Sequence, residues 1–264
     1  MSQLEVTAHP ATPTSAHAEP TPFRLRVVLL MSLGHLTNDL YANSLTPIIP
    51  LLIQEFGLSM TMVGLLTTLR MLSGQVAQPL YGFLGDRLGR RWLLGLGPLL
   101  TVAVMGLSGW SPSYGVLALL VVVAGVGTAA FHPQGAALAG AASGRRHNLG
   151  MGLFLSGGSL GAALAPWLIV PIVSKLGLRA TLLAAVPGLL VALYLLWSQG
   201  RLQWPRTLQR RTWKPNFNGN GRALGLLVAV ASCRTVVESS VLAFLPVLLK
   251  DQGLTLMGSA AVLS

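Results

Sequence analysis

Seven long apolar segments constrain the fold of this chain more than any other feature. They lie at roughly 27–53, 60–84, 92–110, 114–141, 150–173, 181–197 and 223–249. A helix needs about 20 residues to cross about 30 Å of hydrocarbon. With 52% hydrophobic and only 9% charged residues, the composition differs from that of soluble domains. The sequence therefore predicts an all-α polytopic membrane protein.

The chain begins to repeat itself near its end. The stretch IPLLIQEFGLSMTMVG (49–64) matches LPVLLKDQGLTLMGSA (245–260), and its prolines, acidic residues and glycines align at a constant offset of 196 residues. So long a period indicates two large homologous halves rather than a solenoid. We expect a six-helix N-terminal half followed by the first one to two helices of a second half. The chain alone, without the C-terminal half as a partner, is then expected to be inactive, as a fragment or a truncated product.

Polar stretches divide the chain into four parts. Residues 1–22, rich in Pro, Thr, Ala and His, predict a disordered cytoplasmic tail. Residues 23–198 form the predicted six-helix half, and 199–222 a basic cytoplasmic linker, rich in Pro, Asn, Gly and Arg. Residues 223–264 begin the second half with a seventh helix and part of an eighth.

Most basic residues fall on one side of the predicted membrane. If the N-terminus is cytoplasmic, that side holds 13 of the 18 Lys and Arg residues. The positive-inside rule then predicts a multi-pass protein of the plasma membrane, the inner membrane of a bacterium, with a cytoplasmic N-terminus. Basic residues spread over alternate loops argue against nucleic acid as a partner. The predicted surroundings of the chain are the lipid bilayer.

The segment between the second and third predicted helices carries a distinctive pattern. It reads GFLGDRLGRRWLL, with the pattern residues Gly82, Gly85, Asp86, Arg87, Gly89, Arg90 and Arg91. Glycines allow a tight reversal between packed helices, and arginines reach toward lipid headgroups. The pattern resembles the signature loop of the major facilitator superfamily, except at Gly85, where Ala is usual. The resemblance implies a conformational-switch loop, which we name the signature segment (82–91).

Two further stretches narrow the resemblance. GHLTNDLYANSLTPIIPLL in the first helix, and FHPQGAALAGAASGRRHNLGMGLFLSGGSLGAALAPWLI across the fourth and fifth, are similar to the fosmidomycin-resistance branch of this superfamily. The resemblance implies a major-facilitator-type fold of twelve helices in two halves around a central cavity. It also implies export of a small toxic compound, such as a fosmidomycin-like antibiotic, in exchange for protons.

The fifth predicted helix is similar to the antiporter motif of such exporters. Gly157, Gly158, Gly161 and Pro166 supply the small-residue spacing of a helix-packing motif. The usual Gly-Pro pair is replaced by Ala165-Pro166. This departure leaves the direction of transport open, and proton-symport uptake of a small metabolite is the alternative function.

Polar residues inside the first predicted helix indicate a transport pathway. His35, Asp39 and Asn43 recur every four residues, which places them on one helix face. An Asp at the centre of a lipid-exposed helix costs roughly 2.5–3.5 kcal/mol on insertion scales. This face is therefore expected to line protein or a water-filled cavity, and not lipid.

Charged residues suggest how transport is coupled. We expect Asp39, aided by His35, to take up and release the coupling proton, with Glu238 as a further proton-coupling candidate. Arg70 or Arg234 would then attract an anionic or polar group of the substrate. The alternative is structural, with Asp39 paired to Arg70 and Arg234 paired to Glu238 one helical turn away.

The remaining predicted residues are polar side chains expected to line a substrate cavity. They are Asn38, Tyr41, Asn43, Gln78, His132 and Gln134. His132 is interpreted as a packed or hydrogen-bonded histidine in preference to a proton carrier. The predicted partners are a small-molecule substrate and protons, and the sequence predicts neither a cofactor nor a metal site.

An intramembrane serine protease is the alternative from another class. GLSG (106–109) and GGSLG (157–161) superficially offer a nucleophile. A serine nucleophile needs an adjacent base, yet no histidine follows His147, and Ser108 falls at a predicted membrane edge. The sequence therefore favours a transporter and not an enzyme.

Overall fold

The computed structural model describes residues 22–88, 90–202 and 221–262, and every regular element within them is helical. This confirms the predicted all-α fold. The helices are α1 (Leu25–Ala42), α2 (Ile49–Phe56), α3 (Met60–Met71), α4 (Gln78–Leu88), α5 (Arg90–Gly106), α6 (Tyr114–Ser143), α7 (His147–Leu176), α8 (Thr181–Ser198), α9 (Gly221–Asp251) and α10 (Leu256–Ala261). The predicted tail, except for its last residue, and most of the predicted linker lie outside the described residues.

The first two predicted spans are each interrupted. A short 3₁₀ turn, Thr46–Ile48, separates α1 from α2, and it contains Pro47, which has no backbone N–H to donate. A π-helical turn, Leu72–Val76, separates α3 from α4. Such π-turns occur frequently at functional sites. This one lies beside the cavity described below.

Three stretches of the described chain are long and apolar enough to cross a membrane. They are Trp92–Trp110, Tyr114–Leu176 and Leu178–Arg201. The second is 63 residues long and contains both α6 and α7, each of 30 residues. The first, second and seventh predicted spans are not among them. Polar residues lower the hydropathy of α1, and the π-turn leaves α3 and α4 with only 12 and 11 residues.

The sequence repeat is also a repeat of local structure. Gly57 and Gly253, 196 residues apart, both adopt a left-handed backbone with φ of 61° and 93°, a conformation that favours glycine. Two residues later, Ser59 and Thr255 each cap the next helix by accepting the backbone N–H three positions on. The two copies also meet, because α9 packs against α2 and α10 packs against the turn Thr46–Ile48.

Helix α1 lies at the centre of the first half, in contact with α5, α6, α7 and α8. Its closest approach to α7 depends on two glycines. A Cβ at Gly157 would come within 2.5 Å of the Ser32 carbonyl oxygen, and one at Gly161 would overlap the Leu36 carbonyl. Small residues at such a crossing allow two backbones to approach closely in a membrane. The crossing places the polar face of α1 beside α6 and α7.

Candidate functional site

A cavity of about 430 Å³ opens between α1, α3, α4, α6 and α9. Its wall is mixed, with apolar side chains from α1, α5, α6, α7 and α9 and a set of polar ones. The polar residues are Asp39, Asn43, Arg70, Gln75, Gln78, Thr128, His132, Thr235 and Glu238. Such cavities at the interface of two repeats are where transporters bind their substrates.

One carboxylate of the cavity wall lies between two histidines. Asp39 Oδ2 is 3.3 Å from His35 Nε2, and Asp39 Oδ1 is 3.1 Å from His132 Nε2. The buried side chain of Asn38 donates to the same Oδ1 at 3.1 Å. We name His35, Asp39 and His132 the His–Asp–His cluster.

Both histidine rings of the cluster are anchored to the backbone. His35 Nδ1 lies 2.8 Å from the carbonyl oxygen of Phe154, and its ring stacks on the Phe154 ring with centroids 4.3 Å apart. His132 Nδ1 lies 2.8 Å from the carbonyl oxygen of Thr128, one helical turn earlier. A carbonyl only accepts hydrogen bonds, so this network assigns the ring hydrogen to Nδ1 in both cases. The Nε2 atoms therefore face Asp39.

Helix α7 closes tightly over the cluster at a glycine. A Cβ on Gly158 would come within 2.5 Å of the His35 ring and 2.9 Å of Asp39 Oδ2. Real Cβ atoms do not approach so closely, so only glycine fits at this position without displacing the pair. The helix-packing motif predicted from sequence thus touches the candidate site itself.

Three atoms of the cluster, one from each residue, lie within 4.8 Å of one another, which is close enough for a single cation. The separations of 3.1 and 3.3 Å between nitrogen and oxygen are, however, those of direct hydrogen-bonded ion pairs. We therefore interpret the cluster as proton-bridged.

Arg70 reaches the same cavity from the end of α3. Its side chain is partly buried. Among the described residues no carboxylate lies within 4.0 Å of its guanidinium, because the oxygens of Asp39 are engaged by the histidines. The direct Asp39–Arg70 pair considered as an alternative is thus not the observed arrangement. Arg70 presents a positive charge to the cavity.

The charged pair on α9 is more exposed. Arg234 Nε lies 3.6 Å from Glu238 Oε2, and the two side chains are 81% and 55% exposed. Glu238 also lines the cavity, whereas Arg234 does not. The alternative in which these two residues pair along their helix is therefore the observed arrangement, and an exposed pair of this kind contributes little stability.

Other predicted cavity residues differ in their placement. Asn43 and Gln78 line the cavity, and their side-chain amides donate to the carbonyls of Asp39 and Gly74. Asn38 does not line the cavity and is fully buried behind Asp39.

Tyr41 and Gln134 lie away from the cavity. The Tyr41 hydroxyl donates to the Ala184 carbonyl at 2.7 Å and accepts from the Gly188 N–H at 3.0 Å, which ties α1 to α8. Gln134 donates to the Tyr81 carbonyl at 2.9 Å, which ties α6 to α4.

The signature segment is largely helical and not an open loop. Helix α4 continues to Leu88 and α5 begins at Arg90. Gly85 is buried, and a Cβ there would overlap the Gln134 carboxamide, whereas Gly82 lies at ordinary contact distance from Pro133. Gly89 and the side chains of Asp86, Arg87, Arg90 and Arg91 lie outside the described residues.

The sequence interpretation missed three polar residues of the cavity wall. Thr235 lies 196 residues after Asp39, so the internal repeat could have indicated it. Thr128 precedes His132 by one helical turn and accepts its ring hydrogen. Gln75 belongs to the π-turn, which the sequence pattern did not reveal.

The serine considered as a nucleophile has another partner. Ser108 is 2% exposed, and its hydroxyl donates to the Met105 carbonyl at 2.7 Å. This bond lies within its own turn and involves no base.

The fold and the site together define a class, a helical membrane protein with a charged cavity between packed helices. The chain belongs to the Major Facilitator Superfamily, whose family model matches residues 31–264. Members of this family are membrane transporters.

Two curated relatives illustrate the match, which covers part of their length. It is 31% identical over 176 residues to the fosmidomycin resistance protein of Escherichia coli (strain K12), covering 66% of this chain and 43% of that protein. It is 30% identical over 183 residues to the uncharacterized MFS-type transporter YfnC of Bacillus subtilis (strain 168), covering 67% and 44%. The chain thus spans less than half the length of these curated relatives.

A solved structure shares the fold. It is a bacterial homologue of the human lysosomal transporter Spinster in an inward-facing, unoccupied conformation, with a TM-score of 0.74. The likeness covers 92% of this chain and 59% of that one, at 20% identity. At this identity the likeness shows the fold alone.

Proposed function

We propose that the chain belongs to a proton-coupled efflux antiporter that exports a small toxic compound, such as a fosmidomycin-like antibiotic. It would act in the plasma membrane, the inner membrane of a bacterium, with its N-terminus in the cytoplasm. One observation carries the proposal. Asp39 is held between two histidines on the wall of a cavity that also presents Arg70, which has no carboxylate of the described residues in ion-pairing range.

Proton coupling is assigned to the cluster. Asp39, aided by His35, takes up and releases the coupling proton, and His132 joins them because its Nε2 also contacts the carboxylate. Glu238 is a weaker proton-coupling candidate, because it is half exposed and already paired with Arg234. Ionisable groups inside a membrane domain commonly mark proton and ion pathways.

Substrate binding is assigned to the rest of the wall. An anionic group of the substrate binds the Arg70 guanidinium, which is suited to phosphonate or carboxylate oxygens. Hydrogen-bond donors of the same substrate then compete with the cluster protons for the Asp39 oxygens. Competition for one carboxylate couples substrate binding to proton release without a chemical step.

Transport is proposed for the whole protein and not for these residues alone. The chain spans 43% of the length of the fosmidomycin resistance protein, and alternating access moves two halves against each other. We propose that a complete C-terminal half is the partner that this chain requires.

Proton-symport uptake is the second candidate, and the charge arrangement gives a specific reason to retain it. An anion bound to Arg70 would neutralise a positive charge that shares the cavity with ionised Asp39 and so favour a proton there. Anion and proton would then bind together, which produces symport. Exchange of substrate for protons therefore depends on hydrogen-bond donors of the substrate that reach Asp39.

The test uses the full-length protein that contains this chain, with fosmidomycin as the probe. Inverted membrane vesicles with an imposed proton gradient should accumulate fosmidomycin, and cells should become more tolerant of it. Asp39→Asn should abolish proton-driven transport, whereas Asp251→Asn, an exposed acid at the repeat turn, should not. Unchanged transport by an Asp39→Asn variant that inserts normally into the membrane would refute the proposal. Accumulation by whole cells would favour uptake.

A further inference from the structure

The hydrogen bonds of the His–Asp–His cluster limit its protonation states. In each ring Nδ1 donates to a backbone carbonyl at 2.8 Å. A neutral imidazole carries only one ring hydrogen. The Nε2 atoms of neutral His35 and His132 would therefore be bare, and it is these atoms that face Asp39.

If these nitrogens carried no hydrogen, their lone pairs would face the lone pairs of an ionised carboxylate, and the two would repel each other. Contacts of 3.3 and 3.1 Å are hydrogen-bond distances only if one hydrogen lies in each. A protonated Asp39 supplies only one hydrogen. Both contacts are satisfied only when the cluster holds two protons beyond neutral rings and a carboxylate.

We propose that the cluster is a two-proton site, and that His132 is the member that exchanges protons with the cavity. Its role in transport rests on the proposed function. With two protons the cluster has one positive charge, with one it is neutral, and with none it has one negative charge. Among the described residues, the other charged groups on the cavity wall are Arg70 from α3 and Glu238 from α9, the latter paired with Arg234. Among the described residues of α7, no charged side chain reaches the cavity.

The two histidines differ in access. His35 has a side chain only 7% exposed, stacked on Phe154 and packed under Gly158. His132 has a side chain 20% exposed and lines the cavity. Water or substrate in the cavity therefore reaches His132 first, while His35 is held in place.

Proton release then follows an order. The N–H bond at His132 Nε2 breaks, the proton passes to water in the cavity, and the contact with Asp39 loses its hydrogen and opens. The His35 contact keeps its own proton and continues to hold the carboxylate. Opening on one side only exposes Asp39 Oδ1 to a donor group of a substrate.

The test is ¹⁵N NMR of the full chain labelled at histidine, in lipid bilayers, across a range of pH. Difference spectra against His35→Gln and His132→Gln assign the two rings, and the exposed His147 gives a histidine signal from outside the cluster for comparison. We expect both rings to keep hydrogen on Nδ1 throughout, and Nε2 to gain hydrogen in two separate steps. A neutral ring with a bare Nδ1, a single joint step or an absence of titration would overturn the proposal.

The result can be separated from the proposed function. Two steps without proton-driven transport in the full-length protein would leave the two-proton site standing and refute the transport proposal. One joint step with intact proton-driven transport would refute the two-proton site and leave the transport proposal standing. Asp39→Asn provides a second measurement, because the amide can donate to one bare Nε2, so that only the other ring still needs a proton and the two steps should reduce to one.

Discussion

Asp39 and Thr235 are separated by 196 residues, the offset of the repeat, and line the same cavity. The first carries the carboxylate of the proposed proton site, whereas its counterpart carries a neutral hydroxyl. The two walls of the cavity are thus chemically unequal. Under the proposed function, proton coupling lies mainly on the first-half wall, and the α9 wall, apart from the weaker candidate Glu238, serves to recognise the substrate.

The first prediction concerns that division of roles. Thr235→Val keeps the shape of the side chain and removes its hydroxyl, so it should weaken substrate binding without changing proton coupling. Loss of one hydrogen bond of about 0.5–1.5 kcal/mol corresponds to a rise in KM of roughly 2- to 12-fold. Measured proton-to-substrate ratios should stay the same. A changed ratio would mean that Thr235 belongs to the proton pathway.

The second prediction concerns the glycine that covers the cluster. Gly158→Ala should push His35 away from Asp39, because the added Cβ would lie within 2.5 Å of the imidazole. Overpacking of this kind costs about 1–3 kcal/mol. Proton-driven transport should fall more than the amount of inserted protein does.

Gly152 supplies a matched control on the same helix. It is exposed, and a Cβ there meets nothing within 4 Å. Gly152→Ala should therefore leave stability and transport unchanged. Equal losses in both variants would show that α7 tolerates no added methyl group for reasons unrelated to the cluster.

The third prediction concerns the buried contact between α4 and α6. Gly85→Ala introduces the residue that is usual in this family, yet here its Cβ would overlap the Gln134 carboxamide. The variant should be destabilised in thermal unfolding, and Gln134→Ala should partly restore it by making room. Contacting residues commonly show such interaction energies of about 0.5–3 kcal/mol. Strictly additive effects would contradict a direct clash.

The sequence predicted the fold better than the site, for physical reasons. The apolar spans follow from the local composition of the sequence. The repeat follows from a local pattern around the turns at Gly57 and Gly253. His132 was interpreted as a packing residue, because the contact with Asp39 joins helices 93 residues apart in sequence. Tyr41 shares α1 with Asp39, but its hydroxyl is bonded to α8, which no local pattern reveals.

The last prediction concerns the cation of the cavity. Arg70→Gln should raise KM for an anionic probe such as fosmidomycin by roughly 10- to 150-fold, because hydrogen bonds to charged groups are worth about 1.5–3 kcal/mol. Arg70→Lys should recover only part of this loss, since an ammonium group cannot bind two oxygens side by side. The measurement is the concentration dependence of transport in proteoliposomes. Neutral probes should show no such loss, and an equal loss for neutral and anionic probes would indicate that Arg70 supports the fold instead of binding the anion.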